Sequence, residues 1–578
     1  MVNIKLNGVQ LQVENDVTIL EAARANGINI PTLCYMNMSD AGVKNCVGTC
    51  RVCMVEIEGR ASLMPACVVQ VWEGMSIITN SPKAINARRT VVELLLSDHP
   101  HDCLSCERNR KCELQDLAAN LNVREDKYAG KRVKHEKDTS SHSLVRDPEK
   151  CVMCRRCETM CNEVQTVGVY SGSHRSLEAV VSTAFDYPIL DTSCTFCGQC
   201  ASVCPTAAIT QTSDISKVWN AVNDKEKTVV VQTAPAVRVA LGEEFGLPVG
   251  TVVTGKMVAA LRRLGFCNVY DTDFAADLTI MEEASELLSR VKNGGTLPML
   301  TSCCPAWVKF IEHQFPELLD VPSTCKSPQQ MFGAVAKSYL AEKLGVAPEN
   351  MIVVSVMPCL AKKYEAKREE LNNNGVADVD YVITTTELAA MIREACVDFN
   401  SLPDEDFDKV MGESSGAGVI FGRTGGVIEA AVRTAASWAN GACIEKVDFE
   451  ELRGMDGIRE ATVKVGDIDL KIGIASGLGN ARTLLEAVRD GKCEYHAIEI
   501  MACPGGCVNG GGQPFYGNDH VVAAKRAAGL NAEDAGKPNR LSHENKEVRA
   551  LYEHYLGEPG GHKAHALLHT KYFKRDKM

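Results

Sequence analysis

The feature that most constrains this chain is a cysteine pattern that occurs twice. Cys151-x2-Cys154-x2-Cys157-x3-Cys161 recurs as Cys194-x2-Cys197-x2-Cys200-x3-Cys204, with Pro205 directly after the last thiol. A chain with this repeat must fold so that eight thiols, drawn from two segments, close on common points. The chain has 26 cysteines in 578 residues. A disulfide scaffold is short and secreted, and this chain is long. Met1-Val-Asn-Ile-Lys does not read as a signal peptide, so cysteines in C-x-x-C groups read as metal ligands. No stretch approaches the roughly 20 apolar residues of a membrane span. A cytoplasmic protein is expected. The length implies several domains. A net charge of −12 argues against nucleic acid as a partner and fits a basic electron-transfer partner.

The repeat resembles that of bacterial two-cluster ferredoxins, in which the fourth cysteine of each run ligates the other cluster. On that pattern Cys151, Cys154, Cys157 and Cys204 hold one [4Fe–4S] cubane, and Cys194, Cys197, Cys200 and Cys161 hold the second. Two more sites lie upstream. Residues 2–14 read as a hairpin around Asn7-Gly8, and Thr18 with Glu21 three residues on reads as the start of a short helix. Cys34, Cys50, Cys53 and Cys67 follow as a C…C-x-x-C…C set. It resembles a plant-type-like [2Fe–2S] ferredoxin domain of the kind found in complex I. The Cys34–Cys50 gap is longer than usual there, and Cys46 inside it competes as second ligand. Cys50 is preferred because Cys50-Arg-Val-Cys53 carries that family's pair. A zinc site is the alternative. An amphipathic helix over 84–98 then leads to His99, Cys103, Cys106 and Cys112. This set resembles a His/Cys₃ [4Fe–4S] site, and by spacing alone it also suits zinc. Residues 120–148 read as a charged surface connection.

From about residue 228 the pattern changes to strands at 228–233, 298–301, 352–356 and 381–384, with helices at 255–264, 327–343 and 386–395 between them. Strands alternating with helices predict an α/β domain that binds its ligand at the carboxyl ends of the strands. Thr233-Ala-Pro-Ala, Thr301-Ser-Cys-Cys and Met357-Pro-Cys each follow a strand and are expected to meet in one crevice. Ser414–Gly426 is glycine-rich but lacks the G-K-[ST] ending of a phosphate loop, so it reads as backbone packing near the site.

Three distant segments, Thr301-Ser-Cys-Cys-Pro-Ala-Trp307, Met357-Pro-Cys-Leu-Ala-Lys-Lys363 and Met501-Ala-Cys-Pro-Gly-Gly-Cys507, resemble the three signatures of [FeFe]-hydrogenases. The resemblance covers nearly the whole chain, including the order of the N-terminal clusters. It implies a multidomain α+β protein: a β-grasp ferredoxin-like [2Fe–2S] domain (1–80), a His/Cys₃ [4Fe–4S] domain (81–140), a two-[4Fe–4S] ferredoxin domain (141–222) and a large α/β H-cluster domain of two lobes (223–578). It implies reversible conversion of protons and electrons to H₂ at an H-cluster, a [4Fe–4S] cubane joined to a two-iron subsite with CO, CN⁻ and a dithiolate. Cys304, Cys359, Cys503 and Cys507 are the implied ligands, Cys507 bridging. One [2Fe–2S] and three accessory [4Fe–4S] clusters supply electrons. Cys303 is the implied proton donor, backed by a relay through Glu283, Ser323 and Glu286 towards Arg290. On helical spacing Glu283, Glu286 and Arg290 share a face, which a solvated Glu286–Arg290 ion pair would also explain. Lys362 is implied to face a cyanide, with Pro235, Ala236, Gln329, Met357 and Met501 lining the pocket. Ala236 stands where the family often has serine, and Ala306 where glycine is common.

The cluster sites use nineteen cysteines. Of the rest, Cys46, Cys267, Cys325, Cys396, Cys443 and Cys493 read as small buried hydrophobes. The N-terminal pattern resembles members that act as one subunit of an NAD(P)-linked, possibly electron-bifurcating complex, with flavin and NAD(P) sites on separate partner chains. The alternatives are a stand-alone ferredoxin-dependent enzyme and a non-enzymatic iron–sulfur sensor or assembly protein.

Overall fold

The computed structural model describes residues 1–576, apart from 39–42, 46–47, 126, 129, 131, 441–447 and 517–518. The N-terminal segment forms a five-stranded sheet in the order Val9–Val13, Val2–Leu6, Ser76–Ile78, Met54–Ile57, Met64–Pro65. Its first turn uses Asn7 and Gly8 at φ +52° and +89°, the left-handed pair that a tight hairpin needs. The helix Ile19–Ala25 starts at a capping box between Thr18 and Glu21. It buries Ile19, Leu20, Ala22 and Ala23 against Ile4, Leu6, Val55 and Ile77 of the sheet. Pro82–Asp98 is a helix with Ser81 as its cap and proline in its first turn, a position where a missing N–H costs nothing.

The segment between 120 and 148 is more than a surface connection. Its last residues, Leu144–Arg146, form a strand antiparallel to Ile209–Gln211. Leu144 and Arg146 are buried there, because the pairing ties together the two ends of the cysteine repeat.

Beyond 227 the chain forms two four-stranded sheets. One is wholly parallel, in the order Asn268–Asp271, Thr228–Thr233, Met351–Met357, Tyr381–Thr384. The other runs Met299–Leu300, Ala497–Met501, Ile468–Ser476, Ile458–Val465, its last pair antiparallel. Periodicity did not single out this final hairpin, whose outer strand is only partly buried. The carboxyl ends of Met299–Leu300, Met351–Met357 and Ala497–Met501 lead into the cysteine-bearing loops, and that of Thr228–Thr233 leads into Ala234-Pro235-Ala236. The long helix Thr272–Asn293 is buried over most of its length between the sheets.

Two cysteines depart from the expectation of burial. Cys267 and Cys396 are exposed. Cys267 occupies the turn before the strand Asn268–Asp271, and Cys396 has φ +55° just past the helix Thr385–Glu394. Chain ends of elements turn side chains to solvent whatever their hydropathy. Cys325 is buried and Cys493 partly so; Cys46 and Cys443 lie outside the described residues.

Candidate metal and catalytic site

The three cysteine-bearing loops and the ferredoxin-like segment meet around one cavity. Cys304, Cys359, Cys503 and Cys507 line it, with Cys303, Lys362, Pro235, Ala236, Gln329, Met357 and Met501. The turn Cys503-Pro-Gly-Gly-Cys507 holds Gly506 at φ +97°, where a Cβ would lie 2.5 Å from the Thr424 nitrogen. Only glycine lets this loop close on the Arg423–Thr424 backbone. Gly422, from the glycine-rich segment, gives the opposite wall: a Cβ there would lie 2.5 Å from Leu530.

The donor set fits a metal cluster. Burial pushes all four free thiols up, and they raise one another further: Cys304 acts on Cys359, and Cys359 acts on both Cys503 and Cys507. Cys359 is pushed up to about 12. Four thiolates at this depth need positive charge to balance them. The nearby Lys362 ammonium opposes this rise at Cys304, Cys359 and Cys507. A cationic cluster supplies the remainder.

Lys362 lines the cavity and its ammonium is anchored on two sides. Its Nζ donates to the Cys303 carbonyl at 3.1 Å and to Glu365 Oε2 at 2.9 Å. Glu365 also accepts from Ser327 Oγ and Gln329 Nε2, each at 3.0 Å. This leaves Gln329 Oε1 buried without a partner. Sequence reading missed Glu365; its signal was a carboxylate one helical turn after Lys362.

Cys303 sits beside the cavity with its thiol raised well above the ordinary range, first by burial and then by the nearby Glu283 carboxylate. Glu283 is fully buried. Burial and Glu286 push its carboxyl up to about 8. Its Oε1 accepts from the Ser302 amide at 3.4 Å and its Oε2 has no partner. Ser323 Oγ donates to Glu286 Oε2 at 2.7 Å, and Arg290 Nη2 donates to Glu286 Oε1 at 2.6 Å. Arg290 also donates to the Val321 and Pro322 carbonyls at 2.8 and 3.0 Å. On this face Glu283 is interior, while the Glu286–Arg290 ion pair is partly exposed. Ser323, Glu286 and Arg290 form one continuous hydrogen-bonded chain, whereas the hydrogen bond of Glu283 runs to Ser302.

The upstream cysteines gather in the expected groups. Cys34 contacts Cys50 and Cys67, and Cys67 contacts Cys53. Asn45 Nδ2 bridges this set to the next, donating to the carbonyls of Cys34 at 2.6 Å and Cys154 at 3.1 Å. His99 is half-buried just past the helix Pro82–Asp98, its enclosed Nδ1 has no partner, and desolvation lowers it to about 4. A neutral ring with a free nitrogen is the form a metal takes. The Cys112 thiol is raised first by burial and then by Cys106 and Cys103 beside it. Lys150 Nζ lies 3.8 Å from Cys106 Sγ, one residue before Cys151. In the ferredoxin-like segment Cys204 and Cys151 lie close enough to act on Cys154, and Cys161 acts on Cys194 and Cys197. Cys197 also lines the main cavity. That position was not legible from spacing.

The C-terminal domain of the iron only hydrogenase large subunit matches residues 227–511, and the iron hydrogenase small subunit matches 520–575. The NADP-reducing hydrogenase subunit HndD of Solidesulfovibrio fructosivorans is 56% identical over 100% of both chains. The chain is an [FeFe]-hydrogenase large subunit. Iron hydrogenase 1 of Clostridium pasteurianum is 40% identical to this hydrogenase over 99% of its length and 100% of the relative's. The apo [FeFe]-hydrogenase HydA1 of Chlamydomonas reinhardtii superposes with a TM-score of 0.57 at 43% identity, over 63% of this hydrogenase and 99% of that chain. Upstream, a 2Fe-2S iron-sulfur cluster binding domain matches residues 1–82, the NADH-ubiquinone oxidoreductase-G iron-sulfur binding region 88–127, and a 4Fe-4S binding domain 187–210. No helix of the described residues is long and apolar enough to cross a membrane.

The raised Glu283 carboxyl carries a stability signature. Its folded value, about 8, exceeds its ordinary 4.5, so the folded state binds the extra proton and loses stability as pH rises between those values. Glu283→Gln keeps the shape and cannot ionise. The thermal midpoint of wild-type hydrogenase is expected to fall between pH 5 and 8.5 by more than that of the variant. Parallel curves would show that Glu283 ionises at its ordinary value.

Proposed function

We propose that this hydrogenase is the hydrogen-converting subunit of an NADP-linked assembly whose nucleotide- and flavin-binding chains are separate. Its full-length similarity to a subunit named NADP-reducing supports this reading. An NADP-linked role also fits the cytoplasm. The observation that carries the electron-transfer side is Cys197, a ligand of the second ferredoxin-like cubane, in the wall of the cavity formed by Cys304, Cys359, Cys503 and Cys507. We assign those four thiols to the H-cluster. The other groups hold one [2Fe–2S] cluster (Cys34, Cys50, Cys53, Cys67) and three [4Fe–4S] clusters. Domain limits near 80, 140 and 222 follow, with a β-grasp module first and a two-lobed catalytic domain last.

When bound, the H-cluster supplies the electron-rich iron site at which H₂ is made or split. The chain supplies the rest. Cys303 holds a proton at the cavity edge. Glu283, protonated at neutral pH by virtue of its burial, stands behind it, and Ser323, Glu286 and Arg290 continue towards the surface. Lys362 gives the cavity one fixed positive charge, oriented by Glu365. Ala236 contributes a methyl group where serine would offer a hydroxyl donor, so the cavity has one donor fewer.

Purification under native conditions tests the assembly. The hydrogenase is expected in a species larger than 62.7 kDa that reduces NADP⁺ with H₂. A lone chain of that mass with full ferredoxin-linked activity would support the stand-alone reading.

A further inference from the structure

We propose that Glu286, Cys325 and His569 form a Zn²⁺ site at the outer end of the proton route, and that occupying it closes the route. One ligand atom from each residue lies within 4.8 Å of the other two. Cys325 Sγ is already 3.9 Å from Glu286 Oε2, close to the roughly 3.5 Å edge of a tetrahedral zinc site. Thiolate, imidazole and carboxylate together are a zinc donor set, whereas calcium and magnesium take oxygen alone.

The backbone holds this triad. Cys325 and His569 face each other across an antiparallel bridge. Lys326 N donates to Leu568 O, and Thr570 N donates to Thr324 O, both at 2.8 Å. The bridge joins the segment that matches the small subunit, 520–575, to the segment that carries the relay. Glu282 lies behind the ring, with His569 Nε2 at 3.0 Å from its Oε2, and accepts from Tyr552 OH and Gly560 N as well. A carboxylate on the second nitrogen of a histidine is the outer partner that zinc-binding histidines use. His569 Nδ1 meets Thr324 Oγ1 at 2.7 Å, a contact the hydroxyl gives up by rotation. The exposed His565 ring stacks on His569 at 4.4 Å, and Glu286 and His569 are themselves partly exposed, so a cation reaches the site from solvent.

Charge supports a divalent ion. Arg290 is paired with Glu286. Against that single guanidinium stand the Glu286 and Glu282 carboxylates and, once metallated, the Cys325 thiolate. The remainder is two negative charges. Binding makes one bond each to sulfur, nitrogen and oxygen and releases the thiol proton to solvent, so affinity falls as pH falls. Binding itself does not depend on the relay; only its effect on turnover rests on the proposed role of Glu286.

The test uses holoenzyme stripped of adventitious metal with EDTA, titrated with ZnCl₂, and compared with His569→Gln and Cys325→Ser. Bound zinc is counted after gel filtration, its ligands are read by zinc-edge X-ray absorption, and H₂ oxidation is measured relative to each protein's zinc-free rate. The expected result is one zinc per chain with one sulfur ligand, turnover falling in step with occupancy, and affinity at least about tenfold weaker in each variant. His569→Gln preserves a donor for Glu282, so the comparison survives if Cys325→Ser does not fold. Equal zinc binding in wild type and variants overturns the site, as does inhibition that persists unchanged in both. Variant-sensitive binding without inhibition upholds the site and refutes the relay role of Glu286.

Discussion

Cys303→Ala is expected to lower H₂ turnover by about 1,000-fold or more, the scale of losing a positioned acid–base group. Iron content and the carbonyl and cyanide infrared bands should stay in place. The thiol borders the cavity, its titration is governed by burial and then Glu283, and it lies one residue from Cys304. Adjacent side chains in extended backbone point opposite ways, so removing Cys303 leaves the Cys304 ligand untouched. Its backbone carbonyl, which Lys362 uses, is also kept. Turnover close to wild type in a variant with intact bands would remove Cys303 from the proton route.

Cys197→Ala should bring dye-linked and partner-linked H₂ oxidation close to assay background while leaving H₂/D⁺ exchange measurable. Exchange needs the catalytic cavity and the proton route but no net electron flow. Net oxidation needs the cubane that Cys197 helps to hold. The Cys194 segment is also braced independently of the cubane: Lys309 Nζ donates to the Cys194 carbonyl at 2.6 Å, and Gln199 Nε2 donates to the Asn509 carbonyl at 3.1 Å. The reduced protein should lose one [4Fe–4S] signal in its electron paramagnetic resonance spectrum. Oxidation and exchange falling together would mean that Cys197 acts on the catalytic cavity itself, and the assigned electron path would fail.

The two predictions draw on different kinds of information. Local features were readable wherever the physics is local. The Asn7-Gly8 turn, the Thr18/Glu21 capping box and the helices at 254–263 and 385–394 follow from neighbours along the chain. The strand at 144–146 and the hairpin at 458–476 were not read, because pairing with distant strands, not their own pattern, makes them regular. Exposure of Cys267 and Cys396 was missed for the opposite reason: average hydropathy says nothing about a position at the end of an element.

The cysteine and histidine spacing by itself determined that this is a multi-cluster iron–sulfur protein, and the three signature segments determined its class. Ligand spacing is a covalent property of the chain. Tertiary structure alone decided that Cys197 reaches the catalytic cavity, that Glu365 anchors Lys362, and that Asn45 spans Cys34 and Cys154. It also decided that Glu283 is fully buried with its carboxyl raised, and that His569 lies against Cys325. These relations join residues far apart in sequence. Their charge states and distances arise from desolvation and close packing, which exist only after the domains have come together.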